Sequence, residues 1–180
     1  LAVSSGIAEF ALGEMGEHVD VVCFGDDLGF QDRPYMRPEV YRERVKPYHR
    51  RLVESIKSKT DAKVFMHTDG SVASLIPDFI DIGIDVLNPV QVSATGMDSS
   101  RLKAEFGDYM SFWGAIDTQE VLSRGTPEDV RNEVKRRIGD LAPGGGYVLG
   151  SVHNMQAEVS AENVVAMFDS ALEYGRYGSR

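Results

Sequence analysis

A chain of 180 residues with 42% apolar side chains can bury a sizeable core in one domain, and it is too apolar for intrinsic disorder. The formal net charge of −9 excludes a nucleic-acid surface: phosphate contacts need a basic patch, and the densest basic stretch, Arg42 to Arg51, is interrupted by Glu43 and flanked by Glu39 and Glu54. A single cysteine excludes an intrachain disulfide framework.

Residues 1 to 16 read as the tail of a helix, with Ile7, Phe10, Ala11 and Met15 apolar and no start signal before them. The opening Leu1-Ala2-Val3-Ser4-Ser5-Gly6 lacks a positive n-region, and no apolar run approaches the ~18 residues of a membrane span. The expectation is a cytoplasmic protein with no membrane partner. Asp20 to Phe24 is a strand, and Cys23 within its apolar run is expected to be buried as a small hydrophobe. A long loop follows, punctuated by Gly25 and Gly29 and rich in carboxylates at Asp26, Asp27 and Asp32.

Pro38 suits a first helical turn, and Val40, Tyr41, Val45, Tyr48, Leu52, Val53 and Ile56 recur at helical spacing, which predicts one helix of roughly five turns to about residue 58. Lys63 to Met66 is a strand that ends on His67 and Asp69, and Ser71 is placed to cap a helix carrying Val72, Leu75, Ile76 and Phe79. That helix stops near Gly83. Asp85 to Val90 is a third strand, ending on Asn88 and Gln91, and Met97 to Phe106 is a short helix with Leu102 and Phe106 inward. Tyr109 to Ile116 is a fourth strand, followed by Asp117 and Gln119. Thr126-Pro127-Glu128-Asp129 is a helix start, with Val130, Val134 and Ile138 on the inner face. Tyr147 to Gly150 is a fifth strand, ending on Ser151, His153 and Asn154, and Ser160 opens a last helix with Val164, Val165, Phe168 and Leu172 apolar.

Five strand-helix units imply parallel strands with right-handed crossovers. Two α/β architectures survive: a complete doubly wound sheet, or part of a (β/α)8 barrel, which typically needs ~250 residues. Either one collects chemistry at the strand C-termini. No Gly-x-Gly-x-x-Gly follows the first strand, which removes the main support for dinucleotide binding.

The run Phe24-Gly25-Asp26-Asp27-Leu28-Gly29, then Arg37-Pro38, Val45-Lys46-Pro47-Tyr48, His67-Thr68-Asp69-Gly70, Gly83-Ile84-Asp85 and His153-Asn154 resembles the uroporphyrinogen decarboxylase superfamily, in order and over nearly the whole chain. The resemblance implies a TIM barrel of that type, with residues 1–180 as its C-terminal portion, about five βα units, and the N-terminal strands missing. The strand edges of such a portion would be unpaired, so it is expected to associate, aggregate or require its missing half, a homo-oligomer being one of these outcomes. The superfamily holds porphyrinogen decarboxylases and corrinoid-dependent methyltransferases. Asp26-Asp27-Leu28-Gly29, Lys46-Pro47-Tyr48-His49, Asn88-Pro89-Val90-Gln91 and Leu141-Ala142-Pro143-Gly144-Gly145-Gly146 are similar to the methyltransferase-like members. The resemblance therefore implies methyl transfer from a small methylated substrate, with the corrinoid carried by a partner protein. The alternatives are uroporphyrinogen decarboxylation in porphyrin biosynthesis, which needs no cofactor, and a non-catalytic binding module.

Methyltransferases of this branch often show His-x-Cys where this chain has His67-Thr68-Asp69, and there histidine and thiolate bind zinc. Aspartate in place of the cysteine makes zinc on His67 and Asp69 an open question beside a structural His-Asp pair and direct substrate contact. The resemblance points to His153, Asp26 and His67 as catalytic candidates, and their places at the strand ends and loops make Asp27, Asn88, Gln91, Asp117 and Asn154 substrate-binding candidates. His18 and His49 read as surface or helix residues without a role.

Overall fold

The computed structural model describes residues 2–176. Its elements follow the chain as α1 (Ala2–Met15), β1 (Val21–Gly25), α2 (Pro38–Arg44), α3 (Lys46–Lys57), β2 (Lys63–His67), α4 (Ile76–Asp81) and β3 (Val86–Asn88). Then come α5 (Ser99–Phe106), β4 (Ser111–Ile116), α6 (Val121–Arg124), α7 (Pro127–Leu141), β5 (Tyr147–Ser151) and α8 (Ala161–Tyr174). Among the described residues no helix is long and apolar enough to cross a membrane.

All five strands pair in parallel in chain order, β1-β2-β3-β4-β5. A doubly wound sheet reverses its order at a switch point, and this one does not. Alternate strand residues divide between two faces. Val64, Met66, Leu87 and Phe112 are wholly buried on the helix-covered, convex face, where Val22 and Phe24 also join the core. The opposite face is concave. Phe65 on β2 and Trp113 on β4 meet edge to face there at 5.3 Å between ring centroids. His67 at the end of β2 and His153 just past β5 bring their rings to 5.9 Å. Three strand spacings of a flat sheet span ~14 Å, so the sheet is curved as a barrel wall is. The fold is five consecutive βα units of a partial (β/α)8 barrel.

Several elements differ from expectation for physical reasons. The helix expected from Pro38 to residue 58 is two helices that break at Val45, because Pro47 supplies no N–H to the preceding turn. Ser71 does not cap a helix; its hydroxyl donates to the Thr95 carbonyl, and the chain enters α4 through a 3-10 turn at Ala73–Leu75. Val72, Leu75, Ile76 and Phe79 are nevertheless fully buried. The Thr126 cap forms as expected, a reciprocal capping box with Asp129.

Among the α1 side chains described, Leu12 is buried and Phe10 and Met15 face solvent; the Ile7 side chain lies outside the described residues. On α8, Val165, Phe168 and Leu172 are exposed, and the inward face is Asn163, Ala166, Met167 and Ser170. Asn163 sets that rotation by donating its amide to the carbonyls of Leu122 and Gly125. Cys23 is exposed rather than buried, since Val22 and Phe24 take the helix side and leave it on the concave face.

Candidate active site

The strand ends at β1 and β2 are laced together by backbone. The N–H of Asp26 donates to the His67 carbonyl (3.0 Å), that of Ser71 to the Phe30 carbonyl (2.8 Å), and that of Leu28 to the Thr68 hydroxyl (3.0 Å). This close approach needs glycine on both sides. A Cβ at Gly29 would lie 2.7 Å from the Ser71 nitrogen, and Gly70, at φ +87°, would drive one into the Gly29 carbonyl. The Asp27 carboxylate accepts from the Asp69 N–H at 3.0 Å. Asp69 is thereby fixed two residues beyond the last residue of β2.

His67 leaves that strand toward the concave side. Its Nδ1 lies 2.7 Å from Asn88 Oδ1, and the Asn88 amide nitrogen donates to the Trp113 carbonyl at 3.1 Å. Asp69 Oδ2 is 3.3 Å from His67 Nε2 and 4.0 Å from His153 Nε2. The three side chains are between a quarter and a half exposed, so the cluster is open to ligands. Burial raises the Asp69 carboxyl above the usual carboxylate range; the charge of Asp27 adds to this, and His67 and His153 pull the other way.

Structure and sequence therefore converge on His67, Asp69 and His153. One ligand atom from each lies within 4.8 Å of the others, and among the described residues this group contains no thiol. Four-coordinate zinc at ordinary bond lengths separates its ligands by about 3.4 Å. The cluster fits such an ion after a small inward movement of the half-exposed His153.

The other candidates are distributed around it. Asn154 lies with His153 on a cavity of about 530 Å³ between the β4 and β5 loops, which also holds Thr118, Gln119 and Gln156. Gln91 is buried and spends both ends of its amide on the protein, accepting from Gly70 N–H and donating to Gln31. Asp117, also buried, accepts from the Gln119 N–H in a turn after β4. Asp27, Gln91 and Asp117 thus hold loops in place. Asp26 lies at the end of β1, and its carboxylate meets His49 Nε2 at 3.0 Å.

His49 carries no role on the sequence reading. It is buried on α3, with Nδ1 3.1 Å from the hydroxyl of the fully buried Tyr41. Burial, then the charges of Asp78 and Asp26, push that phenol above the usual tyrosine range, which keeps it a donor. The sequence did carry a signal, because residue 49 shares the helical stripe of Leu52, Val53 and Ile56. A titratable group on an apolar stripe needs a buried partner, and Tyr41 is that partner.

The family model described as uroporphyrinogen decarboxylase matches residues 2–174, and the chain belongs to that family. It is 25% identical over 175 residues to a uroporphyrinogen decarboxylase of Chlorobium limicola, covering 95% of this chain and 47% of that protein. It is 31% identical over 100 residues to a methylated-thiol–coenzyme M methyltransferase of Methanosarcina mazei, covering 56% of this chain and 25% of that protein. Among solved structures, a methyltransferase from Methanosarcina mazei superposes with a TM-score of 0.73 at 19% identity, covering 96% of this chain and 48% of that one; this likeness shows the fold. The chain spans about half the length of the first of these relatives. Both branches of the superfamily are thus among its relatives.

Proposed function

We propose that this chain forms part of the active site of a corrinoid-dependent methyltransferase that acts on a small methylated compound, with the corrinoid carried by a partner protein. The observation that carries this reading is the convergence of His67, Asp69 and His153 at the strand C-termini; the resemblance sets His67 and Asp69 against the zinc-binding His-x-Cys of the methyltransferase branch. The surroundings support it. A porphyrinogen brings many carboxylates and needs charge-assisted basic partners. Here the neighbouring loops carry Asp26, Asp27 and Asp32, and Arg33 and Arg124 are paired with Asp32 and Glu120.

His67, Asp69 and His153 would hold the metal, and a bound divalent ion would supply Lewis acidity toward a substrate in its remaining position. Asn154, on the cavity wall, is the group assigned to face the substrate, whereas the Asp26 carboxylate is turned to His49 on α3 and holds the end of β1 to that helix. Asp27 and Gln91 act on the site through the loop they hold.

Uroporphyrinogen decarboxylation is the second reading, favoured by the Chlorobium relative that matches along almost the whole chain. The full-length protein separates the two. Incubated with cob(I)alamin and a panel of small methylated amines, thiols and methoxy compounds, it is expected to form methylcob(III)alamin, read by absorbance, and to leave uroporphyrinogen intact. Decarboxylation above about one turnover per second, without corrinoid methylation, would overturn the methyltransferase reading.

A further inference from the structure

Asn88 was expected to touch substrate, yet both ends of its side chain are committed inside the protein. Its amide can be oriented in only one sense. The Trp113 carbonyl is an acceptor, so the group facing it must be the NH₂, and the group facing His67 Nδ1 must be the oxygen. An oxygen 2.7 Å from Nδ1 requires a proton on that nitrogen. A neutral His67 is therefore the Nδ1–H tautomer, and its Nε2 presents a bare lone pair.

That lone pair stands 3.3 Å from Asp69 Oδ2, with the partly exposed His153 Nε2 4.0 Å from the same oxygen. Two lone pairs facing each other are reconciled by a proton on Nε2 or by a cation held between them. The 3.3 Å separation is also within 0.1 Å of the ~3.4 Å edge between two ligands of a tetrahedral metal, and His153 stands on the same oxygen as a third donor. The backbone that anchors this arrangement is unusual: immediately after Trp113, Gly114 and Ala115 take φ of +115° and +74°, a conformation that costs a non-glycine residue energy.

We infer that Asn88 is a positioning residue that, held by the Trp113 carbonyl, fixes the His67 tautomer and turns Nε2 toward Asp69 and His153, completing a two-histidine, one-carboxylate site for a divalent transition metal. This rests on the metal assignment of the proposed function. It goes beyond that assignment by naming the group that orients the first ligand. A donor set of two imidazoles and one carboxylate without thiolate suits zinc, cobalt or ferrous iron, with an open coordination position. The role of Asn88 is that of the outer partner which ligating histidines commonly require.

Two measurements on the full-length protein test this. In the metal-free wild type, imidazole ¹H–¹⁵N correlation spectra are expected to show His67 as the Nδ1–H tautomer; an Nε2–H tautomer would overturn the inference without any variant. Zinc affinity, measured by competition with a chromogenic chelator, is expected to fall 10- to 100-fold in Asn88→Leu and by less in Asn88→Asp, which keeps the oxygen facing Nδ1 but cannot donate to the Trp113 carbonyl. Zinc bound equally by wild type and Asn88→Leu would refute the role of Asn88 and leave the metal site standing. Failure of the wild type to bind zinc or cobalt would refute both.

Discussion

The two faces of the sheet are made by alternate residues of the same five strands, yet they obey different rules. On the convex face, Val64, Met66, Leu87 and Phe112 are shut off from water by helices that repeat at helical spacing. On the concave face, Cys23 and Val148 are exposed, and His67, Asp69 and His153 gather at the rim. Stability comes mainly from the first face, because apolar burial is its currency. The second face keeps polar groups partly desolvated and reachable, which costs stability and makes chemistry available.

The largest expected effect follows directly. Phe112→Ala should lower stability by about 3–5 kcal/mol in urea unfolding, since it opens a cavity in a wholly buried position. Val148→Thr on the concave face should stay within about 0.5 kcal/mol. A cost for Val148→Thr comparable to that of Phe112→Ala would mean that something covers the concave face.

Two carboxylates carry the same contrast into electrostatics. Asp78, buried behind the sheet, is pushed up by desolvation, but hydrogen-bonded ion pairs with Arg42 and Lys46 outweigh this and hold it below the usual carboxylate range. Its contribution to stability is therefore present above the unfolded-state carboxylate pKa and is lost as pH falls through the depressed folded value. Asp78→Asn should cost about 1–3 kcal/mol near neutral pH, and the cost should vanish in strong acid. A pH-independent cost would show that packing rather than charge holds Asp78.

The sequence made the convex face legible for a simple reason: periodicity reports which residues are apolar together, and helices plus strands of matching period assemble into one core. It could not report curvature. His67 and His153 lie 86 positions apart in the chain, and only the bending of the sheet makes them neighbours. For the same reason Cys23, in an apolar run, was expected to be buried: the run shows that the strand is apolar and not which of its faces is covered. Pro47 was visible in the sequence, and its cost to the helix was outweighed there by the apolar stripe on both sides. The exposed Val165, Phe168 and Leu172 show the converse, an apolar stripe turned outward because the Asn163 amide ties the other side of α8 down.

Asp69 should behave oppositely to Asp78. With its folded pKa raised, first by burial, the native state holds the proton more tightly than the unfolded chain, so stability falls as pH rises from the unfolded carboxylate value through the raised one. In metal-free protein at pH 7, Asp69→Asn is expected to be neutral or stabilising by about 0.5 kcal/mol while abolishing zinc binding. A variant that loses stability as well as metal would make Asp69 a structural residue like Asp78. Asp69→Cys should instead raise zinc affinity, since thiolate is the better zinc ligand.

The smallest effect concerns Cys23 and asks most directly how open the concave face is. Cys23→Ser should change stability by less than about 0.5 kcal/mol, because an exposed thiol contributes little packing. Its reactivity is the sharper readout. Partial desolvation raises the thiol above the ordinary cysteine value even though the residue is exposed, so at pH 8 it should react with an aromatic disulfide reagent more slowly than free cysteine, yet without prior unfolding. The chain has a single cysteine, so one released chromophore per chain is the full signal. The 180-residue chain in native buffer should reach that stoichiometry. If longer protein supplies further strands that close the barrel, the same thiol should be protected there until urea opens the fold. Protection already present in the 180-residue chain would mean that its concave face is covered, by a second copy or by rearrangement, and would break the division of labour between the two faces at its simplest point.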